Sequence, residues 1–432
     1  MATPGIRPRR AVVGLALTIA AAVGAAAAAP AAAADIRASQ SASDREIARW
    51  SARAARAPGD ADALVALGEA FAQKARETAD ASYYGRAEAA FEKARTLRPE
   101  RPGALIGLAW VAGARHEFEQ SAEWASQALA LDPALASAHG LLGDAALEQG
   151  QYDEAAEHYQ RMLDARPDLA SYSRAAQLLF TTGDARKATW MMRKAIEAGA
   201  PYAENTAWAR AQLALMLWQT GAQHPAEELL RVALARTPDS AHLLAAMGKV
   251  AAARGDHRAA IEHLRRAVAL APHHDAVVAL GDVLAAAGQR DEAERQYALV
   301  EAIATLNRAA GVRGDLELAR FRADRGQELE WAVREAEAVY RTRRTVHAAD
   351  TLAWCYHQSG RAEDARRLIA RALSQRTPDA RMLYHAGMIH ARLGDRAAAQ
   401  TYLYQALSLN PRFHPREADV AAATLAELGS AR

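Results

Sequence analysis

The stretch Ala136-Ser-Ala-His-Gly-Leu-Leu-Gly-Asp-Ala-Ala-Leu-Glu-Gln-Gly150-Gln-Tyr-Asp-Glu-Ala155-Ala-Glu-His-Tyr-Gln-Arg-Met-Leu-Asp-Ala-Arg-Pro167-Asp168 carries the architecture of the whole chain. Leu142, Gly143 and Ala146 fall at i, i+1 and i+4, and Ala155, Tyr159 and Met162 at i, i+4 and i+7. Each set therefore clusters on one face of a helix. Gly150 between them reads as the glycine that ends a helix, and Asp153 can help start the next. Gly143 and Ala155 are small, which lets the two helices approach closely. Pro167 cannot continue the second helix and resets the chain. The segment predicts one helical hairpin.

The same punctuation recurs along the sequence. Gly150, Gly183, Gly221, Gly255, Gly288, Gly326, Gly360 and Gly394 are separated by 33, 38, 34, 33, 38, 34 and 34 residues. Seven of them are followed five positions later by alanine (Ala155, Ala188, Ala226, Ala260, Ala293, Ala365, Ala399), and the exception is Trp331. A period in the low thirties marks a stack of small supersecondary units with a continuous core, not one globular domain.

The register resembles that of the tetratricopeptide repeat family, whose units carry small and large apolar residues at positions 4, 7, 8, 11, 20, 24 and 27 and proline at 32. Positions 7 and 8 are Leu67-Gly68, Leu142-Gly143, Met247-Gly248, Leu280-Gly281 and Ala386-Gly387. Position 24 is filled by Phe91, Tyr159, Met192, Leu230, Leu264, Tyr297, Ile369 and Leu403, and the terminal proline recurs as Pro99, Pro133, Pro167, Pro238, Pro272 and Pro411. The resemblance implies an all-α, right-handed α-solenoid of about ten hairpins with capping helices. The units are 61–101, 102–135, 136–168, 169–206, 207–240, 241–273, 274–311, 312–345, 346–379 and 380–413. Residues 35–60 supply a leading helix over 44–57, and Pro415 to Leu428 a closing one. About seven extra residues separate the helices of unit one, around Glu77 to Tyr84. Unit eight is degenerate, with Trp331 at the small position 20. The run Gly311-Val-Arg-Gly314 is read as a hinge between an N-terminal array, 61–310, and a C-terminal array, 315–432.

Residues 1–34 are of another kind. Arg7, Arg9 and Arg10 precede an uncharged run from Ala11 to Ala34 that ends in three alanines. A basic start, an apolar middle and a small-residue end read as a secretory signal, and the protein is expected to be exported to the periplasm or beyond. Membrane contact follows only if the signal is left uncleaved. Its removal takes three arginines and no acids, leaving 50 Lys+Arg against 51 Asp+Glu. Such a balance offers no electrostatic footprint for nucleic acid. Cys355 is the only cysteine, so no internal disulfide forms.

No GxSxG elbow, HExxH helix, P-loop lysine or CxxC pair occurs, so neither an enzyme nor a cofactor is expected. The resemblance implies a protein or peptide partner in a concave groove lined by positions 2, 5, 9, 12 and 13 of each first helix. Those positions supply Trp110, Phe180, Trp208, Trp218, His347, Asp350, Trp354, His357, Arg381 and Tyr384 as candidate contacts. Aromatics and arginine bring large buried area at low entropic cost. The family's carboxylate clamp, Lys and Asn at positions 5 and 9 of one unit, is missing, and only Asn205, Asn307 and Asn410 exist to build an asparagine ladder. A second reading uses histidine. Five of the 14 lie between 347 and 414, and His347, Asp350 and His357 could converge on a transition metal.

Overall fold

The computed structural model describes residues 41–430, so the signal read over 1–34 lies outside the described residues. Within them the chain forms 22 α-helices, one short 3-10 turn and no strand. Twenty helices pair into ten antiparallel hairpins in the expected units. A leading helix, Ala42–Arg56, and a closing helix, Glu417–Ser430, flank the array. The leading helix starts on a capping box, with Ser41 Oγ accepting from the Asp44 amide and Asp44 from the Ser41 amide. Among the described residues no helix is long and apolar enough to cross a membrane.

The periodic glycines have one conformational job. All eight have positive φ, between 64° and 91°, and each closes the turn inside a hairpin. The alanines five positions on are 0–1% exposed, packed where the two helices touch. Position 8 meets position 24 as the register requires. A β-carbon on Gly143 would lie 2.4 Å from the Tyr159 ring, and one on Gly281 2.4 Å from that of Tyr297. Glycine is thus the residue that lets a large side chain fill the hairpin without a clash.

Three details differ from the sequence reading. In unit two the left-handed turn position is held by His116, φ 62°, where the glycine series has no member. In unit one the extra residues are not a loop. The first helix runs on from Ala61 to Thr78 and the second begins at Ser82. In unit eight Glu328 adopts a left-handed conformation (φ 44°), which shifts the following helix by one residue. Ala332, fully buried, then takes the small position, and Trp331 turns to lie under the Arg322 guanidinium at 4.2 Å.

The array winds back on itself. Each hairpin turn of units two to five meets the junction that follows the unit five places further along the chain. Arg313 N–H donates to the Arg115 carbonyl (3.0 Å), and His116 Nδ1 sits 2.8 Å from the Arg313 carbonyl. Arg344 N–H donates to the Glu148 carbonyl (3.0 Å), the Arg343 guanidinium to the Glu148 carboxylate (2.8 Å), and Val346 N–H to the Tyr152 hydroxyl (2.9 Å). Thr377 Oγ1 donates to the Thr181 carbonyl, and Asn410 Nδ2 to that of Trp218 at 3.0 Å. The partners are 192 to 198 residues apart in sequence, a near-constant spacing that marks successive turns of one superhelix stacked in contact.

Gly311–Gly314 bends the chain between Arg290–Ala309 and Leu316–Asp324, and both glycines have positive φ. The bend is tied to unit two by the two Arg313 backbone contacts and by Arg313–Glu117 at 2.7 Å. Trypsin tests whether it is also a hinge. Early cleavage after Arg313 would mark one, whereas the contacts favour cleavage there only when the array unfolds.

Candidate binding groove

A cavity of about 250 Å³ lies between the turns of the superhelix. Its wall comes from the first helices of units five to eight (Trp218, Gln219, Lys249, Asp275, Asp282 and Arg320 among them), and unit ten and residues 410–415 close it. Most of the lining residues from the first helices fall at positions 2, 5, 9, 12 and 13, which lie on one face of a helix whose other face packs in the hairpin.

Its charges are mostly paired. Asp275 accepts from Lys249 Nζ at 2.7 Å. Asp282 accepts from the Tyr297 hydroxyl (2.9 Å) and faces His414 Nε2 (3.2 Å). Burial and the Asp282 charge together hold the Tyr297 phenol well above its ordinary range. Burial alone would raise the Asp282 carboxyl, but the His414 and Tyr297 contacts outweigh it and lower it.

The sequence candidates divide between this cavity and the core. Trp218 and Arg381 line the cavity. Trp110 is half-buried, edge-on to Tyr84 at 5.9 Å, and Trp208 is half-buried with the Arg76 guanidinium 5.9 Å from its ring. Phe180 is buried in a core cluster with Ala188 and Met192. Trp354 is 3% exposed, stacked between His385 (4.2 Å) and His357 (4.9 Å), and its indole N–H donates to Asp324 at 2.8 Å. Tyr384 is buried between Trp354 and Phe413, each 5.7 Å away.

The metal reading is corrected by this packing. Asp350 is spent on His385 Nδ1 at 2.9 Å, His357 is sealed against Trp354, and His347 is exposed. Among the described residues no three His, Cys, Asp or Glu side chains are placed to share a metal ion. Burial lowers the His357 imidazole to about 4, with the Arg392 charge adding to the effect, so it is a neutral core group. Cys355 is likewise buried, and desolvation drives its thiol far above the usual range.

The sequence reading missed Lys249, Asp275, Asp282, Arg320 and Asp324. They occupy positions 9, 2, 9, 9 and 13 of their units. The same position rule reaches them once it is applied to units six, seven and eight, from which no candidate was drawn.

Stacked antiparallel hairpins with a continuous core define an α-solenoid. Three stretches of this one match tetratricopeptide repeat models, at residues 106–170, 251–316 and 380–413. The chain belongs to the tetratricopeptide repeat family. No curated protein matches it in sequence. Similar solved structures include YrrB, described as a TPR protein with an unusual peptide-binding site. It is 23% identical over 43% of this chain and 95% of its own, with a TM-score of 0.30. A tetratricopeptide repeat protein from Parabacteroides merdae is 15% identical, covering 56% of this chain and 98% of its own (TM-score 0.40). PilF of Pseudomonas aeruginosa is 17% identical, covering 52% and 99% (TM-score 0.39).

Proposed function

We propose that this protein is an exported, non-enzymatic scaffold that engages a protein or peptide partner along the concave face of its first helices. The observation that most supports the reading is the cavity itself, whose wall is drawn from the same few positions of successive units. Export rests on the leader-like residues 1–34. The absence of an enzymatic role is supported by the state of the cavity's acids. Asp275, Asp282 and Asp324 are held by Lys249, Tyr297 and Arg381, and none is poised beside a nucleophile.

A photo-cross-linking amino acid tests the surface. Placed at Gln219 or Trp208 it is expected to yield one discrete adduct in intact cells, while at Trp190, 52% exposed, it yields none. Adducts from Trp190 alone, or from no position, would remove the groove reading. Sequencing of the amino terminus from the exported fraction is expected to begin at Asp35, and a chain retained inside the cell with its leader would end the export claim.

A further inference from the structure

We infer that unit three carries a site for a divalent transition-metal ion, held between the Nδ1 atoms of His139 and His158. The site lies within one hairpin, apart from the cavity, and does not depend on the scaffold reading.

The two rings come from facing helices. His139 is in the first helix of the unit, Ala136–Glu148, and His158 in the second, Tyr152–Ala165. Their Nδ1 atoms face each other at 3.1 Å, with the ring planes tilted by 36°. Among the described residues no other two histidines are joined nitrogen to nitrogen; His242 and His273 lie ring over ring, 4.7 Å apart. Metal–imidazole bonds are about 2.0–2.1 Å long. Two such bonds at a tetrahedral angle place the nitrogens roughly 3.3–3.4 Å apart, and at a right angle roughly 2.8–3.0 Å. The observed separation lies between these. An ion is then seated by a small turn of each ring about χ2, a broad torsion for histidine, which aims both lone pairs at one point. The packing beside the pair holds this distance. A β-carbon on Gly140 would lie 2.7 Å from Met162 Sδ, and one on Gly143 2.4 Å from the Tyr159 ring, so the two helices are already in close contact.

The donors are in the state a metal needs. Burial holds the His139 imidazole below its ordinary range, and the His158 and Arg161 charges add to the effect. Burial and then the Arg161 charge do the same to His158, against Glu154 and Glu157. Both rings are therefore neutral at pH 7, and only neutral imidazoles ligate. The His139 ring also donates to the Pro133 carbonyl, the kind of contact that fixes the tautomer of a ligating histidine. Without an ion, one Nδ1 carries the proton shared by the pair. That proton moves to Nε2 of its own ring when an ion takes its place. His158 is half-buried, so solvent reaches the pair and water fills the remaining coordination positions. Glu154 and Glu157 add negative charge there, while the exposed Arg161 turns to Glu157 at 3.9 Å. Two imidazoles suit Cu²⁺, Ni²⁺ or Zn²⁺, whereas Mg²⁺ and Ca²⁺ prefer oxygen donors.

The test titrates the full chain with Zn²⁺ and with Cu²⁺ at pH 7, by calorimetry for both ions and by electron paramagnetic resonance for Cu²⁺. Saturable binding is expected, with two nitrogen ligands in the copper spectrum. His158→Gln is expected to lower the affinity at least about tenfold and to remove one nitrogen, and His139→Gln to do the same. His347→Ala, at an exposed histidine, leaves both readouts unchanged. Because the ion joins the two helices of a hairpin, Zn²⁺ should also raise the urea midpoint of the wild type and not that of His158→Gln. Helical circular dichroism checks that the variants fold, and the half-buried His158 decides the matter alone if His139→Gln does not. No saturable binding of either ion, a single nitrogen in the wild-type copper spectrum, or an affinity unchanged in His158→Gln overturns the inference and leaves the pair as a hydrogen bond within the hairpin.

Discussion

Gly150→Ala is expected to destabilise the protein by about 3 kcal/mol, and Gly255→Ala by only about 1 kcal/mol, although both glycines close equivalent turns. Both have positive φ, 76° and 79°, a region that costs a side-chain-bearing residue roughly 1–2 kcal/mol. Part of that is offset because alanine also restricts the unfolded chain. The difference lies outside the hairpin. A β-carbon at Gly255 meets nothing within 4 Å, whereas at Gly150 it would lie 2.5 Å from the Arg344 carbonyl oxygen. That carbonyl cannot retreat freely, because the Arg344 amide is bonded to Glu148 and the neighbouring Arg343 side chain grips the same residue. The added cost is that of overpacking, about 1–3 kcal/mol. Urea unfolding gives the two values, and amide exchange at Arg344 and Val346 locates the damage. Faster exchange there in Gly150→Ala alone is the expected pattern. Equal costs for the two variants would mean that the superhelical turns do not touch in solution.

This pair also shows what the sequence could and could not reveal. The hairpin is local. Its glycine, its alanine five residues on and its position 8–24 contact all lie within one unit, so a period of about 34 exposes them. The stacking of turns is not local. Arg344 and Glu148 are ordinary charged residues, and nothing in either unit distinguishes Gly150 from Gly255. Partners nearly 200 residues apart are joined largely through backbone groups, which every sequence possesses. The same division runs through the candidate groove. The position rule finds Trp218 and Arg381, yet it admits Trp354 and Tyr384 as well, because their burial depends on Phe413 and His385 from elsewhere in the fold. Unit eight fails for a smaller reason. A single left-handed residue, Glu328, moves the register by one, and glutamate carries no signal for that conformation.

Arg381→Ala is expected to cost about 3–5 kcal/mol at neutral pH, the range for leaving buried charges without their partner. Arg381 joins three elements. From the first helix of unit ten it reaches Asp324 at the end of the first helix of unit eight, at 2.7 Å. It also holds both oxygens of Glu417 in the closing helix, at 2.6 and 2.7 Å. Glu417 is 3% exposed. Burial alone would raise its carboxyl, but the Arg381 and His414 charges and the Arg381 hydrogen bond outweigh this and hold it well below the usual 4.5. A depressed carboxyl contributes stability that is present above its unfolded value and is lost as pH falls through the folded one. The wild-type closing helix is therefore expected to loosen only well below pH 4.5. Without Arg381 the burial effect remains and the larger part of the compensation is gone, with His414 left beside the carboxylate, so Glu417 should protonate at a higher pH than in the wild type. The cost of Arg381→Ala should then shrink as pH is lowered from 7 towards 4, since a neutral acid is cheaper to bury than an anion. Glu417→Gln added to Arg381→Ala should recover part of the loss at pH 7 and change little at pH 4. A cost that does not vary with pH, and no recovery in the double variant, would show that Arg381 acts through the packing of its aliphatic stem and not through its charge.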